Sequence, residues 1–142
     1  EGLGLTAHTG EWLGPRSVIE SVDVLKLDRI GHGVRLAEDE RLLRDFAKKN
    51  VGIEVCLTSN AALRAVDDMS KHPVREFLAT GCELTIATDD PGFFATTPAR
   101  EFELATKICG LSEEQSTKIY RDSVAMAFCD SHTKSDLISQ LK

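Results

Sequence analysis

The chain has 142 residues, 42% of them hydrophobic and 28% charged, an ordinary globular composition that argues against disordered, fibrous and membrane-spanning classes. With 23 acidic residues against 17 basic ones, a net charge of -6 and no basic run longer than Lys48-Lys49, a nucleic-acid partner is not expected. Cys56, Cys82, Cys109 and Cys129 are scattered without a CxxC pair, and the start is unlike a signal peptide, so reduced thiols in a cytoplasmic protein are the expectation.

Along the chain, a short apolar run followed by an amphipathic helix recurs four times, the signature of βα units. The first strand is expected over Leu3-Gly-Leu-Thr-Ala7, with a helix from Pro15 that carries Val18, Ile19, Val22 and Leu25 on one face. The second pairs a short strand around Arg29-Ile30 with a helix after Asp39, where Leu42, Leu43, Phe46 and Ala47 recur at helical spacing. The third strand, Val51 to Leu57, precedes a helix that opens at His72-Pro73, buries Val74, Phe77 and Leu78 and closes at Gly81. The fourth, Glu83 to Thr88, leads to a helix capped by Thr97-Pro98 that carries Phe102, Ala105 and Cys109 and ends at Gly110.

Ser112 with Gln115 then forms a capping box for a helix whose Tyr120, Val124, Ala127 and Phe128 share a face, and a last short helix is expected over Lys134 to Leu141. Four such units are half of the eight that close a barrel of about 250 residues. The fold class read from the sequence is therefore α/β, half of a (β/α)8 TIM barrel with added C-terminal helices. Such a half leaves two unpaired parallel edges. Together with the missing initiator Met, this predicts a preceding half-barrel, in cis or as a separate chain.

Each expected strand runs into a polar cluster: His8-Thr-Gly-Glu11, Gly31-His-Gly33, Thr58-Ser-Asn60 and Asp89-Asp-Pro91. Loops after the strands build the site in parallel βα folds, so the topology would gather these clusters at one end. Two adjacent carboxylates, Asp89 and Asp90, need a cation or donor nearby, although a helix cap or turn would also use them. His8 offers an imidazole to a metal and Glu11 a carboxyl for proton transfer across the turn at Gly10, while a structural histidine is the plainer alternative. His32 between two glycines has room for a ligand.

The segments Thr6-Ala-His-Thr-Gly-Glu11, Arg29-Ile-Gly-His-Gly33, Glu54-Val-Cys-Leu-Thr-Ser-Asn60 and Ile86-Ala-Thr-Asp-Asp-Pro91 resemble, in this order, the last four strand motifs of the adenosine/AMP deaminase family. The resemblance covers essentially the whole chain and assigns residues 1–142 to the C-terminal half of such a barrel. It implies zinc-dependent hydrolytic deamination of a 6-aminopurine, with His8 and Asp89 as Zn2+ ligands. It further implies that Glu11 protonates the purine ring nitrogen beside the attacked carbon, that His32 orients the attacking water, and that Asp90 binds the imidazole-ring nitrogen of the purine. Adenosine is the first expectation for the substrate. Adenine, N6-methyl-AMP and aminodeoxyfutalosine are the alternatives, and a non-catalytic half-barrel is the contrasting class.

One departure is visible: the family's remaining zinc ligands form a His-x-His on its first strand, and this sequence contains none. The 142 residues alone are therefore expected to bind zinc weakly and to turn over nothing. His72 reads as a helix cap, His132 as solvated and Glu54 as half of a structural ion pair. Trp12, Phe93 and Phe94 either line a purine pocket or pack.

Overall fold

The computed structural model describes residues 2–141. Four parallel strands, β1 (Thr6–Thr9), β2 (Arg29–His32), β3 (Gly52–Val55) and β4 (Leu84–Ile86), form one sheet in sequential order. Helices α1 (Pro15–Leu25), α2 (Glu40–Ala47) and α4 (Val74–Thr80) connect them, with 3-10 turns at Val34–Glu38 and Met69–Lys71. Three elements sit in the loops that follow the strands or continue the last unit: α3 (Leu57–Ala62), α5 (Pro91–Phe94) and α6 (Pro98–Lys107). The chain ends in α7 (Glu113–Met126) and α8 (Ser131–Ser139). Sequential parallel order with a crossover between each pair of strands is half of a (β/α)8 barrel.

Register divides the sheet into two unlike faces. Ala7, Ile30, Ile53 and Leu84 lie side by side on one of them. There they pack with Val18 and Val22 of α1, Leu43 and Phe46 of α2, Val74 and Phe77 of α4 and Ala105 of α6. Period-two side chains put His8, Gly31, Glu54 and Thr85 together on the opposite face, which would line the interior of a barrel. That face is polar: Glu54 accepts from Arg29 Nε at 2.7 Å and from Thr6 Oγ1 at 3.1 Å. This is the expected ion pair. The last turn of α7 closes the N-terminal end of the face, where Arg29 donates to the Met126 carbonyl and lies over the Phe128 ring.

Several boundaries differ from the sequence reading, each for a physical reason. β1 begins at Thr6, which pairs with Arg29, rather than at Leu3; Leu5 is held to the turn before β2, its carbonyl accepting from the Asp28 and Arg29 N–H groups. The Leu5 N–H is satisfied by the Asp28 carboxylate, and Leu3 stays 80% exposed. β3 ends at Val55, and Leu57 opens a helix instead of closing a strand. β4 is likewise shorter than expected, spanning Leu84–Ile86.

Leu25 faces solvent, and Ala127 with extended backbone ends α7, so Phe128 leaves the helix to cover Arg29. The last helix starts at Ser131 because the Asp130 carboxylate caps it by accepting from the Thr133 N–H. The caps at Thr97 and Ser112/Gln115 are present as read.

Candidate functional site

The C-terminal ends of the strands carry the polar clusters to one rim. Leaving β1, the chain turns at Gly10, whose φ of +69° favours glycine, and the turn is fixed because its carbonyl accepts from the Arg35 N–H at 2.8 Å. Arg35 Nε also donates to the Glu11 carbonyl at 3.2 Å. Glu11 is thereby held over the end of β2. Its Oε2 lies 3.8 Å from His32 Nε2, and its Oε1 is buried with no hydrogen-bond partner among the described residues.

His32 ends β2 with φ +68°, a left-handed conformation that L side chains rarely adopt. The His8 ring stands edge-on to it, with ring centroids 4.6 Å apart and planes at 83°. Glycine at position 31 makes this possible, because a Cβ there would lie 2.6 Å from His8 Cδ2. His8 itself is exposed on the interior face, while His32 is 1% exposed.

Across the sheet, Asp89 follows β4 with φ +57°, and its Oδ2 accepts from Ser59 Oγ of α3 at 2.6 Å and lies 3.9 Å from His32 Nε2. One donor atom from each of His8, His32 and Asp89 falls within 4.8 Å of the others. Asp90 does not join that group. It stands exposed at the start of α5, where its carboxylate caps no N–H. Trp12 lines a pocket with His8 and Glu11, whereas Phe93 meets Phe94 edge-to-face and is 79% exposed.

Burial dominates the electrostatics of His32 and lowers its pKa; the neighbouring Glu11 and Asp89 carboxylates oppose that shift, and His8 reinforces it. The buried imidazole is thereby biased toward the neutral form. Burial also raises Cys56 to about 12, so its thiol is not a nucleophile at neutral pH.

Three side chains to which the sequence assigned no role in the site support the rim: Asn60, His72 and Glu101. Asn60 Nδ2 lies 3.1 Å from His32 Nδ1, and Asn60 Oδ1 lies 3.2 Å from His72 Nε2. His72 is the cap that the sequence suggested, since its Nδ1 accepts from the Val74 N–H. Fully buried Glu101 of α6 accepts from the N–H and hydroxyl of Thr58 and from Thr96 Oγ1. Its position inside an amphipathic helix was the one available signal. His132 is solvated and pairs with Asp136.

An imidazole nitrogen beside a carboxylate, as His8 offers beside Asp89, suits a borderline cation such as zinc better than a hard one. Gly31 leaves His8 the space to lie in the group, so the donor set and the local packing both fit a metal. An adjacent buried carboxyl with one unmatched oxygen suits proton exchange with a bound heterocycle.

Comparison with known proteins agrees in kind. The adenosine deaminase family model matches residues 1–142. An adenine deaminase of Rhizobium leguminosarum is 41% identical over 140 residues, covering 99% of this chain and 44% of that protein. The crystal structure of an adenine deaminase from Arthrobacter aurescens superposes with a TM-score of 0.91 at 33% identity, over 97% of this chain and 42% of that one. An amidohydrolase from Burkholderia ambifaria, solved with bound Zn, gives a TM-score of 0.87 at 26% identity over 98% and 39%. The chain thus spans less than half the length of the relatives that it matches.

Proposed function

The chain belongs to the adenosine deaminase family, and on that premise we propose that it is the C-terminal half of a zinc-dependent hydrolase that removes the amino group of a 6-aminopurine. The observation that carries this reading is the convergence of His8, His32 and Asp89, with donor atoms within 4.8 Å, beside the unpartnered buried oxygen of Glu11. His8 and Asp89 hold the metal. A bound zinc ion would supply positive charge that lowers the pKa of water to about 7.

His32 orients the attacking water. Glu11 gives a proton to the ring nitrogen beside the carbon that bears the amine, which makes that carbon electrophilic. The water oxygen bonds to this carbon and water gives up its two protons, one to the departing amino nitrogen and one back to Glu11; the carbon–nitrogen bond breaks, ammonia leaves and a 6-oxopurine that keeps its ring N–H remains. The exposed Asp90 carboxylate accepts a hydrogen bond from the purine's imidazole ring.

Among 6-aminopurines we propose adenine. The sequence put adenosine first, but the relatives at the greatest similarity quoted above are named adenine deaminases, which favours the alternative. The full enzyme needs four more βα units, in cis or as a separate chain, to bring further metal ligands. Its setting is proposed to be the cytoplasm. No helix among the described residues is long and apolar enough to cross a membrane.

The test assays ammonia release by the complete polypeptide from adenine, adenosine and N6-methyl-AMP, with zinc content measured alongside. Fastest turnover of adenine with about one zinc per chain is expected. Faster turnover of adenosine would replace the substrate, and no release from any of the three would reject the reading.

A further inference from the structure

His8, His32 and Asp89 form a three-membered donor group, and the arrangement leaves open whether His32 itself binds the metal. Behind His32 run two buried polar side chains, Asn60 and then His72, and the direction of the chain can be read from a backbone amide. Val74 N can only donate, and it donates to His72 Nδ1 at 3.1 Å. His72 Nδ1 is therefore bare. Burial holds the His72 imidazole to a pKa of about 4, so at neutral pH the ring is neutral and its hydrogen sits on Nε2.

That Nε2 faces Asn60 at 3.2 Å, so the Asn60 atom opposite it must be the accepting oxygen. The other end of the same amide is then the NH2 group, which faces His32 Nδ1 at 3.1 Å and donates to it. His32 Nδ1 must accept. A neutral His32 consequently carries its hydrogen on Nε2, the nitrogen that points at His8 Nδ1 (3.4 Å), Glu11 Oε2 (3.8 Å) and Asp89 Oδ2 (3.9 Å).

We propose that Asn60 and His72 are positioning residues that fix His32 as a hydrogen donor into the site and thereby deny it the metal. A ring nitrogen that carries hydrogen has no lone pair for a cation, so the metal falls to His8 and Asp89 while His32 Nε2–H is free to hold an oxygen of water or substrate. All three side chains are almost fully buried, at 1% exposure for His32, 0% for Asn60 and 4% for His72. Water therefore cannot substitute for a missing link, and the chain's polarity is enforced from the backbone outward. The inference deepens the proposed deaminase reading and rests on it for the chemical consequence, though the hydrogen placement itself is independent of the substrate.

The test uses the complete polypeptide with 15N-labelled histidine and reads the ring nitrogens by NMR, beside kinetics on adenine. In the unaltered protein, His32 and His72 should each show hydrogen on Nε2 and a bare Nδ1. Asn60→Asp keeps the shape but offers only acceptors, so the hydrogen of His32 should move to Nδ1. With it, kcat should fall about 10- to 100-fold while KM changes little.

His72→Leu, which removes the donor to Asn60, should lose more than His72→Gln, which keeps an N–H for it. A bare Nε2 on His32 in the unaltered protein overturns the proposal, as does an unmoved hydrogen with unchanged kcat in Asn60→Asp. If the hydrogens lie as expected but no 6-aminopurine is turned over, the relay stands and the deaminase reading falls. If turnover is found with His32 bare at Nε2, the relay alone falls.

Discussion

His32 and Asp89 both sit in left-handed backbone, at φ +68° and +57°, and neither is glycine, so each stores roughly 1 kcal/mol of strain that the surrounding fold must hold. Strain at two of the three members of a donor group fits a site built for geometry before stability. Gly31 is the third device, because it clears the volume into which the His8 ring lies. Gly31→Ala should displace that ring and weaken zinc affinity by about tenfold or more, with the unfolding midpoint nearly unchanged, as measured by competition with a chelator. An unchanged affinity would mean that His8 does not bind metal. Glu11→Gln keeps the side-chain shape but removes the transferable proton, so turnover should fall about 10²- to 10⁴-fold while zinc content stays constant. Undiminished turnover would remove Glu11 from its role.

At the scale of elements, the four βα units were legible because apolar runs alternate with helical stripes, and the rim motifs were legible because each follows a strand. The residues Leu57 to Ala62 were not. They continue an apolar β-branched run, and Thr-Ser-Asn is poor helix material, so the local signal favours extending β3. What makes α3 is tertiary: Glu101, 43 residues away, accepts from both the N–H and the hydroxyl of Thr58 in its first turn. Separation in sequence also hid the relay, with Asn60 28 residues from His32 and 12 from His72, because Asn60 reads as a loop residue and His72 as a cap until the fold joins them. α3 presents Ser59 to Asp89 and Asn60 to His32, so its support by α6 matters to the site. Glu101→Ala leaves the Thr58 N–H and the buried Thr96 hydroxyl without partners, which should cost about 3 kcal/mol or more in urea unfolding and lower kcat as well. Loss of stability with kcat intact would separate α3 from the site.

As a whole, the molecule has one apolar face and one polar face; its helices cover the apolar face, while the polar face is met toward its N-terminal end by α7, whose Ser123 hydroxyl bonds Thr85 and whose Met126 carbonyl accepts from Arg29. The interior face leaves His8 exposed, and among the described residues β1 and β4 each pair on one side only, which is what half of a (β/α)8 barrel presents. Stability is nonetheless tied to the relay behind the rim, and pH exposes that tie. His72 has a folded pKa of about 4 against an ordinary value of 6.5, so between these limits the unfolded chain takes up a proton that the folded chain refuses. The folded state therefore keeps this stability above about pH 6.5 and loses it as pH falls toward 4, below which the folded imidazole protonates too. At about 1.4 kcal/mol per pH unit the loss approaches roughly 3 kcal/mol, and His32, lowered by the same cause, adds in the same direction. Urea midpoints of the complete polypeptide should fall between pH 7.5 and pH 5, and should fall measurably less in His72→Gln, which has nothing to titrate at that position. An equal fall in both proteins would place the acid sensitivity elsewhere, and would mean that the buried imidazole of His72 takes up its proton without unfolding the barrel.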